Sequence, residues 1–123
     1  MKYIYIYETP ESKQEGLIKI GDAENVEKRI NEQFNTAAAF DASKMQYNLL
    51  YQTKAIKDDG AEFRDHQIHD FLIKKGYPKH KIYSDNLLVK NDTEWFKVDV
   101  DKVINLVEKF KKGFSPEQID IDR

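Results

Sequence analysis

The stretch that decides the fold is Lys2–Glu8, Lys-Tyr-Ile-Tyr-Ile-Tyr-Glu, in which tyrosine and isoleucine alternate. Alternation with a period of two predicts a β-strand, because successive side chains of a strand point to opposite faces of the sheet. Both faces carry large side chains here, so we expect a central strand that is covered on both sides. Leu17–Ile20 predicts a second strand ended by Gly21, and the polar segment Thr9–Gly16 between the two predicts a hairpin loop.

Further patterns extend this hairpin into a larger domain. Asp22 is predicted to cap a helix over Glu24–Phe34, whose apolar residues recur every three or four positions. Alternation predicts a third strand over Met45–Ile56, and apolar periodicity predicts later helices over Ala61–Lys75 and Val100–Lys112, the last of them capped by Asp99. A short strand or extended segment is predicted over Thr93–Val98, before the last helix. We therefore expect the α+β class, with a small antiparallel or mixed three-stranded sheet flanked by helices.

The composition excludes several classes of protein. Hydrophobic residues make up 40% and charged residues 34% of the chain, as in ordinary globular domains. No apolar run approaches the ~18–20 residues of a membrane span, and no signal-peptide pattern opens the chain, so we expect a cytoplasmic location without a membrane partner. The chain has no cysteine, which excludes disulfides and thiolate metal sites. The net charge of −2 argues against a large nucleic-acid footprint but allows a local basic groove.

Several short motifs follow one another in an order that resembles the GIY-YIG nuclease superfamily. They are Tyr3-Ile4-Tyr5, Lys19-Ile20-Gly21, Arg29, Glu62 followed four residues later by His66, and Glu94-Trp95-Phe96. They are most similar to a phage-associated branch in which the second motif reads Lys-Ile-Gly, and the resemblance covers about residues 2–110. It implies a GIY-YIG-like nuclease domain over residues 1–113, followed at 114–123 by a tail or the start of a linker to a further domain.

The resemblance implies hydrolysis of DNA phosphodiester bonds with one divalent ion, Mg²⁺ or Mn²⁺. Glu62 would hold the ion, since Mg²⁺ keeps most of its waters and needs few carboxylates. Arg29 would contact the phosphate through its fork of donors, and Tyr5 would position or deprotonate the attacking water. His66 would contact phosphate or shuttle a proton. Lys19 stands where the superfamily has its second tyrosine, and it would steer phosphate or act as a base.

The basic run over residues 74–81 is a second candidate for contact with DNA. It contains Lys74, Lys75, Lys79 and Lys81 around Tyr77. Lysines interleaved with an aromatic residue are typical of a loop that faces phosphate, so we expect these four lysines to bind nucleic acid. No motif that reads bases accompanies them, so no sequence preference is predicted.

Structural roles compete with each of these interpretations. Tyr5 could pack in the sheet, Arg29 could pair with a neighbouring glutamate on its helix, and Glu62 could complement a helix dipole. For His69, a packing role or a structural hydrogen bond is preferred to a metal site shared with Glu62 and His66, which lie on roughly the same helix face. The alternative function is a non-catalytic module that binds nucleic acid or protein, which the change at Lys19 and the net charge favour.

The tail and the charge together suggest a partner. Residues 114–123 are polar and follow a finished helix, so we expect them to lack a partner in the core. A module with net charge −2 binds DNA weakly by itself. The resemblance extends to a branch fused to helicase-like proteins of restriction systems, so a fused or associated DNA-binding or helicase domain would deliver the DNA.

Overall fold

The protein is described by a computed structural model that covers residues 1–35, 47–80 and 94–121. Within these ranges the strands are β1 (Tyr3–Glu8), β2 (Ile18–Ala23), β3 (Asn48–Lys54), β4 (Lys79–His80) and β5 (Trp95–Phe96). They form one sheet in the order β3-β1-β2-β5-β4, and every pairing is antiparallel. The α+β class is confirmed, but the sheet has five strands where three were predicted, because β4 and β5 contain two residues each and show no readable alternation.

Four α-helices lie in the described ranges. They are α1 (Pro10–Glu15), α2 (Val26–Asn35), α3 (Asp65–Lys74) and α4 (Val100–Lys111). As predicted, α4 follows Asp99, whose side chain accepts a hydrogen bond from the backbone N–H of Asp101 at 2.9 Å. No described helix is long and apolar enough to cross a membrane.

The segment between β1 and β2 was predicted to be a loop and instead folds as α1. Thr9 and Ser12 form a reciprocal cap, in which each side-chain oxygen accepts the backbone N–H of the other residue, at 3.0 and 2.8 Å. Pro10 opens the helix, and Gly16 ends it with a positive φ of 73°. Residue types that are typical of a loop are thus also the ones that start and stop a short helix.

The central position of β1 is confirmed, and its alternation creates two buried faces. We name them the apolar face and the aromatic face. The apolar face contains Ile4, Ile6, Ile18, Ile20 and Phe96, packed against α3 and α4. The aromatic face contains Tyr5, Tyr7, Trp95 and the buried Lys19, with Val26 and Ile30 of α2 packed near them.

Helix α3 begins later than its predicted start at residue 61. Glu62 pairs with Ile56 in an isolated antiparallel bridge, so the chain is still extended there. The first helical residue is Asp65, and the turn after the helix contains Gly76 with φ 95°. The bridge explains the difference, because extended pairing and helical pairing use the same backbone groups.

The tail was expected to lack a partner in the core, and this was wrong. A short 3-10 turn at Pro116–Gln118 returns the chain, and Ile119 and Ile121 pack into the core of the apolar face. Two isoleucines within a charged sequence carry too little pattern to be recognised as core residues.

Candidate metal centre

Asp65, His69 and Glu94 meet where the pairing between β2 and β5 stops, next to Ile20 of β2. Their ligand atoms all lie within 4.8 Å of one another. Asp65 and His69 stand four residues apart on α3 and therefore one above the other on the same helix face. Glu94 immediately precedes β5. Two carboxylates and one imidazole are a set of donors that can hold a divalent cation.

The ring of His69 is buried and held in one orientation. Its Nε2 lies 2.8 Å from the carbonyl oxygen of Ile20. A carbonyl oxygen only accepts, so Nε2 carries a proton, and Nδ1 is the ring nitrogen left to bind a cation. The ring also packs against Phe96, with centroids 5.2 Å apart. The structural hydrogen bond expected of His69 is therefore present, and donation to a backbone carbonyl is also how metal-binding histidines are usually oriented.

Lys19 is buried on the aromatic face beside this triad, with 2% of its surface exposed. Its Nζ lies 3.3 Å from Oε2 of Glu94 and 5.9 Å from the centroid of the Trp95 ring. A buried ammonium group is costly unless it is paired, and Glu94 supplies the compensating charge. The structure thus places Lys19 directly beside one of the three candidate ligands.

Tyr5 crosses β2 at Gly21. The two residues are partners in the β1–β2 register. A Cβ at residue 21 would lie 2.4 Å from the Tyr5 hydroxyl oxygen and 2.5 Å from Cζ, so only glycine leaves room for the ring. Gly21 and Lys19 are two residues apart on one strand and share a face. Tyr5 and Lys19 are thereby brought to the same side of the sheet.

Asp22 was predicted to cap α2, but it belongs to β2 and contacts the start of α3 instead. Its side chain accepts hydrogen bonds from the Asp65 backbone N–H at 2.9 Å and from Arg64 Nε at 2.8 Å. The cap of α2 is Asn25, which accepts from the backbone N–H of Lys28. The prediction failed because β2 continues to residue 23, so the helix starts later.

Charge and burial shift the two neighbouring carboxyl groups in opposite directions. Burial by itself raises the pKa of Asp22, but the hydrogen bonds from Arg64 and from the Asp65 N–H outweigh it, so this pKa lies below its ordinary value. Burial raises the pKa of Asp65, and the nearby charge of Asp22 raises it further. A cation bound at Asp65 would offset this repulsion.

The family is identified by a family model that covers most of the chain. The family model of the T5orf172 domain matches residues 2–111. The chain belongs to the T5orf172 domain family. This phage-associated domain is commonly grouped with nuclease-like folds. No curated protein and no solved structure matches the chain.

None of the five predicted catalytic residues of this T5orf172 domain belongs to the triad, and three of them are exposed. Glu62 and His66 are exposed, and Glu62 precedes the helix. Arg29 is exposed on α2, where its Nη1 lies 3.9 Å from Glu32, which is the ion pair considered as the alternative. Tyr5 and Lys19 are the predicted catalytic residues that the structure places on one buried face.

The acid–histidine spacing that singled out Glu62 and His66 recurs three residues later in Asp65 and His69. This second pair converges with Glu94, and sequence reasoning missed it as a ligand pair. The apolar residue Ile68 was the available signal, because it marks the helix face that meets the sheet and lies next to His69.

Of the predicted DNA-binding lysines, Lys74 and Lys75 lie at the C-terminal end of α3, and Lys79 lies on β4 opposite Phe96 of β5. Lys74, Lys75 and Lys79 are exposed, and Lys81 lies outside the described residues. Ten residues of helix span about 15 Å, which is the approximate distance along α3 from Asp65 to Lys75. A DNA strand that reached both places would follow the length of this helix.

Proposed function

We propose that this T5orf172 domain is a metal-dependent endonuclease of the GIY-YIG type that hydrolyses DNA phosphodiester bonds. The observation that carries the proposal is the meeting of Asp65, His69 and Glu94, with Lys19 beside them. We assign the divalent ion to these three side chains. Carboxylates suit Mg²⁺ and Mn²⁺, and an imidazole is accepted more readily by transition metals, so Mn²⁺ fits the complete set of donors.

The side chains around the centre match the needs of phosphodiester hydrolysis. A bound divalent ion would lower the pKa of a water and offset charge on the phosphoryl oxygens. Lys19 adds a fixed positive charge within a buried face, where electrostatic stabilisation is stronger than in water. Tyr5 offers a hydroxyl group on that same face, which we assign to orienting the attacking water.

Contacts with DNA outside the centre rest on exposed cations. Arg29 lies on α2, the helix that packs on the aromatic face, and its exposed guanidinium could exchange Glu32 for a phosphate. Lys74 and Lys75 at the C-terminal end of α3, and Lys79 on β4, would contact the phosphate backbone of the DNA. Since the net charge is −2, we propose that a fused or associated DNA-binding or helicase domain supplies most of the affinity.

The test is nicking of supercoiled plasmid with Mg²⁺ or Mn²⁺ by wild type, Asp65→Asn and His69→Gln. We expect each substitution to lower the rate by at least about 100-fold, the scale of a lost catalytic group. Glu62→Gln and His66→Gln are the matched pair with identical spacing three residues earlier. They test the assignment that the resemblance alone implies.

The outcomes separate three interpretations. Loss of nicking in the Asp65 and His69 variants, with retention in the Glu62 and His66 variants, supports the centre described above. The reverse pattern would move the metal to Glu62 and contradict our assignment. Absence of metal-dependent nicking in the wild type on every substrate, together with retained DNA binding, would favour the non-catalytic module.

A further inference from the structure

We infer that Asp22 is a positioning residue for this centre, which holds the first turn of α3 against β2 so that Asp65 faces the other two ligands. The inference rests on the proposed function, because it assigns a role relative to the metal. It concerns a residue that contacts a ligand's backbone and acts through that ligand. Three observations carry it.

The first observation is that α3 takes its cap from a distant residue. The first N–H groups of a helix have no partner within the helix. Arg64 precedes α3, and its guanidinium has no acceptor with which to cap them. The Asp22 carboxylate, 43 residues earlier, accepts the Asp65 N–H instead. A negative charge at this position also complements the helix dipole.

The second observation is that both oxygens of Asp22 face donors. Oδ2 accepts from Arg64 Nε at 2.8 Å and from the Asp65 N–H at 2.9 Å. Oδ1 lies 3.4 Å from Arg64 Nη2 and 3.9 Å from Nζ of Lys2. The side chain is only 5% exposed. Because both of its oxygens already face donors, Asp22 links strand β2 to helix α3 and does not serve as a fourth metal ligand.

The third observation is a second hydrogen bond between β2 and α3, at a spacing along the two elements that matches the first. His69 donates to the carbonyl of Ile20, two residues before Asp22 on β2. Two residues of strand span about 6.7 Å, and the four residues from Asp65 to His69 span about 6 Å of helix. The hydrogen bonds of Asp22 and His69 therefore fix one turn of α3 along one repeat of β2. The two helix residues that they hold are the two candidate ligands on α3.

The test is Mn²⁺ binding to the full chain by titration calorimetry, with a thermal melt of each variant. We expect Asp22→Ala to weaken Mn²⁺ binding by about 10- to 100-fold, the range for loss of a group that orients a metal ligand. Asp22→Asn keeps an acceptor for the Asp65 N–H, so it should recover most of that loss. Asp99→Ala is the matched control, because Asp99 caps α4, which provides none of the three ligands.

A role limited to stability makes a different forecast. If Asp22 contributes only to stability, Asp22→Ala and Asp99→Ala should weaken Mn²⁺ binding in proportion to their losses of melting temperature. This result would overturn the inference. Wild-type affinity in Asp22→Ala would also overturn it. If Asp22→Ala is unfolded at the assay temperature, Asp22→Glu, whose longer side chain displaces the acceptor from the Asp65 N–H, is compared with Asp99→Glu, and the same outcomes apply. A wild type that binds no Mn²⁺ would instead remove the metal centre itself, and the inference with it.

Discussion

The two faces of the sheet come from the same strands, yet they bury different chemistry. On the apolar face, the core residues from β1 and β2 are isoleucines covered by α3 and α4, and Asp22 of β2 lies on the same side at the start of α3. On the aromatic face the alternate positions of β1 and β2 include three tyrosines, a lysine and a glycine. Burying a charged group costs free energy even when it is paired. The comparison indicates that stability is concentrated on the apolar face, whereas Tyr5 and Lys19 are buried on the aromatic face; Asp65 and His69 come from the helix that covers the apolar face.

The largest effect is expected on the apolar face, from Ile6→Ala. Ile6 is fully buried, so the substitution leaves a cavity and should lower the free energy of unfolding by about 2–5 kcal/mol. Urea denaturation measures this change. Nicking per folded molecule should stay near that of wild type. Ile73→Ala, on the exposed side of α3, is the control and should change stability little. A loss below about 1 kcal/mol for Ile6→Ala would contradict the division between the faces.

An intermediate effect is expected at Gly21→Ala on the aromatic face. The new Cβ would lie 2.4 Å from the Tyr5 hydroxyl oxygen, so the ring must move, at a cost of about 1–3 kcal/mol. Nicking should fall by more than the loss of folded protein explains. The double variant Tyr5→Leu/Gly21→Ala should be more stable than the sum of the single losses, because the shorter side chain relieves the clash. If the losses of stability in the two single variants are strictly additive, Tyr5 is not the residue that clashes with the new Cβ.

The smallest effect on stability is expected for Lys19→Met. The substitution removes a buried charge whose partner, Glu94, is 39% exposed and keeps contact with water. We expect the free energy of unfolding to change by no more than about 1 kcal/mol, while metal-dependent nicking is lost. Lys97→Met, at an exposed position after β5, is the control and should change neither quantity. Full nicking by Lys19→Met would restrict the role of Lys19 to structure.

Much of the fold could be predicted from local pattern. Alternation in Lys2–Glu8 indicated the central strand and its two faces, since a period of two reports directly on opposite sides of a sheet. The capped helix after Asp99 was equally readable, because its cap and its apolar stripe are local. The two-residue strand β4 and the reciprocal cap around Pro10 were not predicted, since each is too short to repeat a pattern, whereas β5 lies within the short strand or extended segment predicted over Thr93–Val98.

The candidate centre was predicted only in part. The interest in Tyr5 and Lys19 came from motif order along the chain, and the structure places both on the aromatic face. The choice between Glu62 and Asp65 could not be made from spacing, because both acids have a histidine four residues later. The choice depends on where α3 begins and which of its faces meets β2, and both are properties of packing.

By itself, the sequence determined the α+β class, the central tyrosine strand and the order of motifs, because these features follow from the periodicity and spacing of residues along the chain. Only the tertiary structure decided that Asp65, His69 and Glu94 meet, and that Asp22 reaches across 43 residues to the start of α3. The physical reason is that a periodic pattern records which face of an element is buried. It does not record which side chain of a distant element is found there.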